Sequence, residues 1–202
     1  MKTITREAEI ALEIKRSRFI GRSFLRQIPA EALAAVEKLR TDERDATHHC
    51  WAYRIGRDGE QARYNDDGEP QGTAGPPILD VLKKNDITNV LLVVTRYYGG
   101  IKLGAGGLVR AYGDAAKRAL EESRVKELRL MAEIEAAVPY PLLGALEHYL
   151  EREEAEVTGK TFGEYVTVRL RIPAARQTDF EAFYARLTAG KAALSVLGRE
   201  YK

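Results

Sequence analysis

A glycine-rich segment, RYYGGIKLGAGGLVRAY, spans residues 96–112 and follows an apolar run. An alanine-rich pattern with helical spacing comes after it, so we expect a turn between a strand and a helix. The first turn of a helix offers unpaired N–H groups and a partial positive charge, and glycine lets a ligand approach the backbone. The pattern therefore indicates a possible anion site. Its glycines are Gly99, Gly100, Gly104, Gly106 and Gly107, and its cations are Arg96, Lys102 and Arg110.

Neither of the common nucleotide-binding patterns fits this segment. A P-loop needs Gly-Lys-Ser/Thr, whereas a leucine follows Lys102. A G-x-G-x-x-G/A pattern that starts at Gly104 would need glycine or alanine where Val109 stands. We therefore predict no P-loop or Rossmann cofactor. Two interpretations stay open for Arg110, a surface ion pair with Asp114 four residues later and a functional site for an anion or a partner.

A second loop, RYNDDGEPQGTAGPP, runs from residue 63 to residue 77. It carries three neighbouring carboxylates, Asp66, Asp67 and Glu69. Paired carboxylates can hold Mg²⁺ or act in acid/base chemistry, and the same residues are equally typical of a solvated turn. Loops longer than about 12–15 residues in compact domains are often functional. We therefore expect a binding surface here, with Arg63 at its start and Thr73 able to cap the next helix.

Two histidines and the single cysteine are adjacent at residues 48–50. On a strand His48 and Cys50 share a face and His49 does not. No C-x-x-C or H-x-x-x-H spacing supplies a tetrahedral metal site, so we predict no metal ligand and no catalytic residue. A buried Cys50 beside Trp51 is the favoured interpretation. An alternative is a metal-assisted hydrolase, which requires the three loop carboxylates and His48 or His49 to converge in one pocket.

Mixed strand and helix patterns place both loops in the N-terminal half. The predicted elements there are strands at 3–14, 17–26, 47–56 and 89–95, helices from Pro29, over ILDVLKKN and from the glycine-rich segment to about Glu122, and a loop at 62–77. The apolar run 89–95 is typical of a strand covered on both faces. The last helix is expected to bury one stripe, Leu108, Tyr112, Ala115, Ala116 and Ala119.

Residues 127–202 show the order βαββαβ, which is that of a ferredoxin-like domain. The alternating strand EYVTVRLRI presents an open face of Tyr165, Thr167, Arg169 and Arg171. Such a face resembles a platform for single-stranded RNA. Cross-strand pairing with Glu133 and Glu135 is the favoured interpretation, because residues 127–202 carry ten basic and twelve acidic side chains.

Composition bounds the partners and the compartment. The net charge of +2 offers no bulk attraction to nucleic acid, although residues 1–126 carry +4 once the −2 of the remainder is set aside. No apolar stretch approaches the roughly 18 residues of a membrane span, and no apolar region of a secretory signal is present. We therefore expect a cytoplasmic protein with no membrane contact. The change of pattern near residue 125 predicts two domains, 1–125 and 126–202.

Four motifs in one order carry a family resemblance. EIKRSRFIG, ATHHCWAYRIG, DDGEPQGTAGPPIL and VVTRYYGGIKLGAGGLVRAY together resemble the bacterial YigZ branch of the IMPACT family, over about residues 10–120. The resemblance implies an α+β protein of two domains. The first would be an α/β sandwich of the ribosomal-protein-S5-domain-2-like type, also found in domain IV of elongation factor G. The second would be ferredoxin-like βαββαβ, similar to the last domain of that factor.

The resemblance also implies a function. Eukaryotic relatives regulate translation under amino-acid starvation by binding a ribosome-associated activator of a translation-initiation kinase. We therefore expect a non-enzymatic, translation- or ribosome-associated binding protein without a cofactor, whose partner is the ribosome, RNA or a translation-associated protein. Its alternatives are the metal-assisted hydrolase and a phosphate- or nucleotide-binding sensor. The expected binding surface consists of Arg63, Asp66, Asp67, Glu69, Thr73, Arg96, Gly99, Gly100, Lys102, Gly104, Gly106, Gly107 and Arg110.

Overall fold

The protein divides into two compact units, Met1–Glu127 and Leu128–Lys202, in a computed structural model that describes residues 1–202. Each unit has its own hydrophobic core and its own main sheet. Helices and strands are mixed in both units, which confirms the predicted α+β class. None of the helices is both long and apolar enough to cross a membrane.

The first unit is built on a five-stranded antiparallel sheet. Its elements in chain order are β1 (Lys2–Ile4), β2 (Ala8–Ile14), β3 (Ser17–Leu25), α1 (Pro29–Asp42), β4 (His48–Ile55), β5 (Gln61–Asn65), α2 (Gly75–Lys84), β6 (Val90–Tyr97), α3 (Ala105–Glu122) and β7 (Val125–Glu127). The sheet has the order β2-β3-β6-β4-β5, and β1 pairs separately with β7. The central strand β6 is therefore flanked by β3 and β4, which are far from it in sequence.

Helices cover both faces of this sheet. Leu92 and Val94 of β6 pack with α2 and α3, whereas Leu91 and Val93 pack with α1 on the other face. Because successive strand residues point to opposite faces, a strand covered twice must be apolar throughout. This confirms the prediction made for β6. The expected stripe of α3 is also confirmed, since all five of its residues are buried.

The hairpin between β2 and β3 turns where the sequence predicted. Lys15 and Arg16 both adopt positive φ, 46° and 63°, as a two-residue hairpin turn requires. The prediction of one strand over 3–14 is wrong, because β1 leaves the main sheet to pair with β7. The prediction of a loop over 62–77 is wrong at its start, since Gln61–Asn65 forms the edge strand β5, which pairs with β4. The loop proper covers residues 66–74.

The second unit carries β8 (Leu130–Val138), α4 (Leu143–Arg152), β9 (Glu156–Phe162), β10 (Val166–Pro173), α5 (Gln177–Thr188) and β11 (Leu194–Tyr201). Its antiparallel sheet has the order β11-β8-β10-β9, with the first and third strands central, as in a ferredoxin-like domain. Alternate residues of β8 and β10 are buried with α4 and α5. The expected cross-strand pairs form on β10, Arg169 with Glu135 at 2.8 Å and Arg171 with Glu133 at 3.8 Å.

Candidate anion-binding pocket

The two predicted loops meet at one pocket of about 440 Å³ in the first unit. The loop after β5 contributes Glu69 and Pro70 to its lining, and the glycine-rich segment contributes Lys102, Leu103, Gly104 and Ala105. Residues at the ends of β4 and β6 and on α3 complete the lining, namely Thr47, His48, Arg96, Tyr98 and Leu108. Sheet pairing of β4 with β6 therefore brings together loops that lie about thirty residues apart in sequence.

A buried ion pair forms one wall of the pocket. Arg96 Nη1 donates to Glu69 Oε1 at 2.6 Å, and the two side chains are only 6% and 3% exposed. Tyr112 donates its hydroxyl to the same oxygen at 2.6 Å. Ser17 Oγ lies 3.3 Å from Arg96 Nη2 and accepts from the Gly99 amide at 3.2 Å. The glycine-rich segment, the acidic loop and the hairpin are thus joined through one polar network.

Arg96 has a hydrogen-bonding group that this network leaves free. Its Nε–H is the one buried side-chain polar group of the protein without a hydrogen-bond partner. Its guanidinium lies 5.3 Å from the ring centroid of Phe19 and 5.2 Å from that of Tyr98. Buried donors are almost always paired, because leaving one unpaired costs about 1–3 kcal/mol. Arg96 therefore brings an unpaired buried donor to the lining of the pocket.

Helix α3 points its N-terminus at this pocket. Gly104 is its N-cap residue, with a φ of 73° that favours glycine, and no side chain caps the first turn. The free N–H groups of this turn and the helix dipole favour an anion. Lys102 is exposed beside them. His48, another lining residue, donates from Nδ1 to the Asp67 carbonyl at 2.7 Å, and its Nε2 lies 3.9 Å from Glu69 Oε1.

Asp66 has a structural role that the sequence assigned to Thr73. Its carboxylate accepts from the backbone N–H groups of Gly72, Ala74 and Gly75 at 2.8–3.0 Å, and so caps the start of α2. The expectation that Thr73 caps this helix is wrong, because its hydroxyl donates to the Pro70 carbonyl instead. Asp66 therefore holds the acidic loop in shape and has little capacity left for a ligand.

The three loop carboxylates point to different partners and do not converge. Asp67 accepts hydrogen bonds from the Arg40 guanidinium and from the His49 amide. Glu69 accepts hydrogen bonds from Arg96 and Tyr112. No group of three His, Cys, Asp or Glu side chains is arranged to hold a metal ion. The geometry that the hydrolase alternative required is therefore not formed.

The residues at 48–50 follow the predicted alternation. His49 lies on the face opposite His48, and its Nδ1 is 3.1 Å from Thr95 Oγ1. Cys50 is fully buried, as expected, and its thiol donates to the Asp66 carbonyl at 3.0 Å. Burial raises the pKa of the Cys50 thiol well above its usual range, so the thiol is not a nucleophile at neutral pH.

Two of the three cations of the glycine-rich segment, Lys102 and Arg110, are exposed and unpaired, whereas Arg96 is buried and paired with Glu69. Lys102 and Arg110 form no ion pair, and the alternative pair of Arg110 with Asp114 is absent although both line a smaller neighbouring pocket of about 230 Å³. The hairpin turn adds two further unpaired cations that were not among the expected site residues, Lys15 and Arg16. One exposed carboxylate, Asp114, lies among these cations. Cations are therefore in excess on this surface.

Two of the five glycines, Gly99 and Gly106, differ in whether packing requires a glycine at that position. A Cβ added at Gly99 would lie 1.9 Å from the Arg16 carbonyl oxygen, so the hairpin turn and the glycine-rich segment touch backbone to backbone. A Cβ at Gly106, in the first turn of α3, would meet nothing within 4 Å. Gly99 is therefore explained by packing, whereas Gly106 is not.

Of the remaining expected site residues, Arg63 is exposed on β5 and lines two other pockets, separate from the main one. Gly100 and Gly107 belong to the turn and the helix start without lining the main pocket. Tyr98, Ser17 and Tyr112 are pocket or network residues that the sequence analysis did not select. The run of two tyrosines directly before the glycines was the available signal for Tyr98.

These features define a two-domain α+β protein with a preformed pocket at a helix N-terminus, and comparison with known proteins assigns the chain. Residues 15–120 match the Impact N-terminal domain, and residues 137–191 match a domain of unknown function, DUF1949. The chain belongs to the IMPACT family.

Three similar proteins illustrate the relationship. The IMPACT family member YvyE of Bacillus subtilis is 37% identical over 189 residues, which cover 94% of this chain and 87% of that protein. YigZ of Escherichia coli is 37% identical over 180 residues, 88% of each chain. A crystal structure of a hypothetical protein matches with a TM-score of 0.63 and 34% identity, and covers 98% of both chains.

Proposed function

We propose that this protein is a non-enzymatic binding protein of translation, which uses the surface around the pocket to bind RNA on the ribosome. Helix α3, the acidic loop and the hairpin turn together form that surface. The observation that carries the proposal is the pair of exposed cations, Lys102 and Arg110, that have no partner beside an uncapped helix N-terminus. We place this activity in the cytoplasm.

Electrostatics supports the choice of partner. Cations near a helix N-terminus oppose its dipole by about 0.3–1 kcal/mol each, and no carboxylate forms an ion pair with Lys102 or Arg110. A bound phosphate would be favoured by the dipole and by the cations together. The hairpin cations Lys15 and Arg16 extend the surface beyond the size of one phosphate, which suits a polyanion.

Family membership supports the setting. The family includes eukaryotic proteins named IMPACT, and the resemblance described above implies regulation of translation for such relatives. The absence of a catalytic arrangement among the loop carboxylates supports a binding role over the hydrolase alternative. Their hydrogen bonds hold the loop in place.

Co-sedimentation with ribosomes at increasing salt tests the proposal. We expect the wild-type protein to pellet with ribosomes at low salt and to be released as salt rises. The variant Lys102→Ala/Arg110→Ala should be released at a clearly lower salt concentration, because it lacks two phosphate contacts. A matched control, Lys84→Ala/Arg129→Ala, removes the same two charges from exposed positions elsewhere and should behave like the wild type.

Two results would contradict the proposal. If neither the wild type nor any variant pellets with ribosomes at the lowest salt, the ribosomal partner is wrong. If all three proteins pellet alike, binding does not use this surface. Circular dichroism of each variant provides the check that the fold is retained.

A further inference from the structure

We propose that the pocket takes one nucleoside monophosphate unit, with its phosphate at the start of α3 and its base against Tyr98. The unit is either a free nucleotide or one unpaired residue of an RNA chain. This inference rests on the proposed function in its RNA form, and it names the part of the ligand that enters the protein.

The lining of the pocket offers three features that favour a phosphate. Free N–H groups of the first turn of α3 begin at Ala105, Lys102 is exposed beside them, and Arg96, another lining residue, carries a buried Nε–H without a partner. The carboxylate of Glu69 also lines the pocket, but its charge is balanced by Arg96 at 2.6 Å and it accepts from Tyr112. Lys102 and the helix dipole therefore leave the site net positive.

Other lining residues of the pocket are apolar or aromatic. They are Pro70, Leu103 and Leu108, together with Tyr98, which is 45% exposed. The Tyr98 ring lies against the Arg96 guanidinium, 5.2 Å from the ring centroid, and its exposed part offers a stacking surface. An inorganic ion would need only the polar lining residues. An aromatic side chain can stack on any of the bases, so Tyr98 makes the pocket suitable for a nucleotide.

Size and surroundings fit this ligand class. A volume of about 440 Å³ lies within the roughly 300–1,000 Å³ of small-ligand pockets. Contact between Gly99 and the Arg16 backbone places the cations of the hairpin turn next to the glycine-rich segment. Phosphates that precede or follow the bound unit in an RNA chain would meet those cations. The recognition of one unit is therefore compatible with either a free nucleotide or a chain.

Calorimetric titration of the full-length protein with five probes tests the inference. The probes are adenosine 5′-monophosphate, adenosine, inorganic phosphate, a single-stranded hexamer of adenylate, and heparin as a polyanion without bases. We expect the monophosphate or the hexamer to bind, and Tyr98→Leu to weaken that binding by roughly tenfold or more. The conservative Tyr98→Phe should restore it. Tyr165→Leu, which removes an equally exposed ring from the second unit, should have no effect.

The outcomes separate the sources and can overturn the inference. Binding of the monophosphate about as tightly as the hexamer identifies a free nucleotide, and binding of the hexamer alone identifies a residue of RNA. The inference is wrong if no base-carrying probe binds at millimolar concentration. It is also wrong if heparin or phosphate binds as well as the hexamer and Tyr98→Leu, folded by circular dichroism, changes nothing.

Failure of the inference differs from failure of the proposed function. Ribosome pelleting that depends on Lys102 and Arg110 but not on Tyr98 keeps the proposed function and removes the nucleotide pocket. If the monophosphate binds in a way that depends on Tyr98 but the protein does not pellet with ribosomes, the nucleotide pocket is kept and the ribosomal function is wrong.

Discussion

Glu69 accepts hydrogen bonds from two side chains of the buried network, Arg96 and Tyr112, and is nearly inaccessible to water. Burying a charge is costly unless it is paired. When one partner of a buried ion pair is removed, the charge of the other is left uncompensated inside the protein. Burial together with Glu69 also raises the pKa of the Tyr112 hydroxyl, so it remains a donor at every physiological pH. One carboxylate thus fixes the positions of the guanidinium and the phenol beside the pocket.

Removal of that carboxylate should destabilise the first unit strongly. We expect Glu69→Ala to lower the free energy of unfolding by about 3–5 kcal/mol, because it leaves Arg96 charged and unpaired inside the protein. Tyr112→Phe removes only one hydrogen bond and should cost about 1 kcal/mol. Urea denaturation of both variants measures the difference. Equal, small losses would show that Arg96 finds another partner or solvent.

Sequence spacing alone could not reveal this network. The sequence identified Glu69 and Arg96 as site residues, but they are 27 positions apart and only the pairing of β4 with β6 joins their loops. Asp66 was predicted to face a ligand and instead caps α2, because a side chain eight residues away can reach the helix start when a loop folds back. Thr73 offered a local cap that the longer-range carboxylate replaces.

Two elements, the hairpin turn and the start of α3, set the geometry of the glycine-rich segment. The hairpin turn needs the bare backbone of Gly99, whereas Gly106 occupies an exposed helical position where alanine is sterically free. Helix propensity disfavours glycine by about 0.5–1 kcal/mol relative to alanine. Gly106 therefore lowers the stability of α3 without a packing reason.

Alanine at these two glycines should have opposite effects on stability. Gly99→Ala should destabilise the protein by about 3 kcal/mol, since its Cβ would overlap the Arg16 backbone. Gly106→Ala should raise the free energy of unfolding by up to about 1 kcal/mol and still weaken RNA binding, because the methyl group crowds the free N–H groups of the first turn. Thermal melts and ribosome pelleting measure the two effects. Unchanged pelleting by Gly106→Ala would remove the helix start from the binding surface.

The strands that the sequence missed or merged share a physical cause. Strand β5 is a polar, largely exposed edge, so it lacks the hydrophobic period that identified β6. Strands β1 and β2 are separated by only three residues, and nothing local shows that β1 pairs with β7 over a hundred residues later. Covered strands and amphipathic helices were predicted correctly, because their buried positions must be apolar and so produce a recognisable hydrophobic pattern.

Charge is distributed differently in the two units of the whole molecule. In the first unit the exposed cations Lys102 and Arg110 have no ion-pair partner, whereas in the second unit Arg169 and Arg171 on the open sheet face are paired across strands. Paired surface cations contribute little to binding a polyanion, because a phosphate would have to replace a carboxylate. We therefore expect the proposed RNA binding to depend on the first unit.

Removal of the paired arginines should leave RNA binding unchanged. We expect Arg169→Ala/Arg171→Ala to keep the wild-type affinity for a single-stranded RNA and the same slope of log K against log salt. Lys102→Ala/Arg110→Ala should reduce the magnitude of that slope by about 2, one for each lost phosphate contact. Filter binding across a salt series measures both. A reduced slope in the Arg169/Arg171 variant would instead assign binding to the ferredoxin-like sheet.

The spread of the buried network along the chain has a consequence for biosynthesis. Ser17, Glu69, Arg96 and Tyr112 come from the beginning, middle and end of the first unit. While the nascent chain is being made, the pocket cannot form until α3 has left the ribosomal exit tunnel. The second unit is synthesised after the first. While its residues are being translated the chain stays attached to the ribosome, and the first unit has time to fold before the finished chain is released. Formation of the pocket therefore requires synthesis of the whole first unit, through α3.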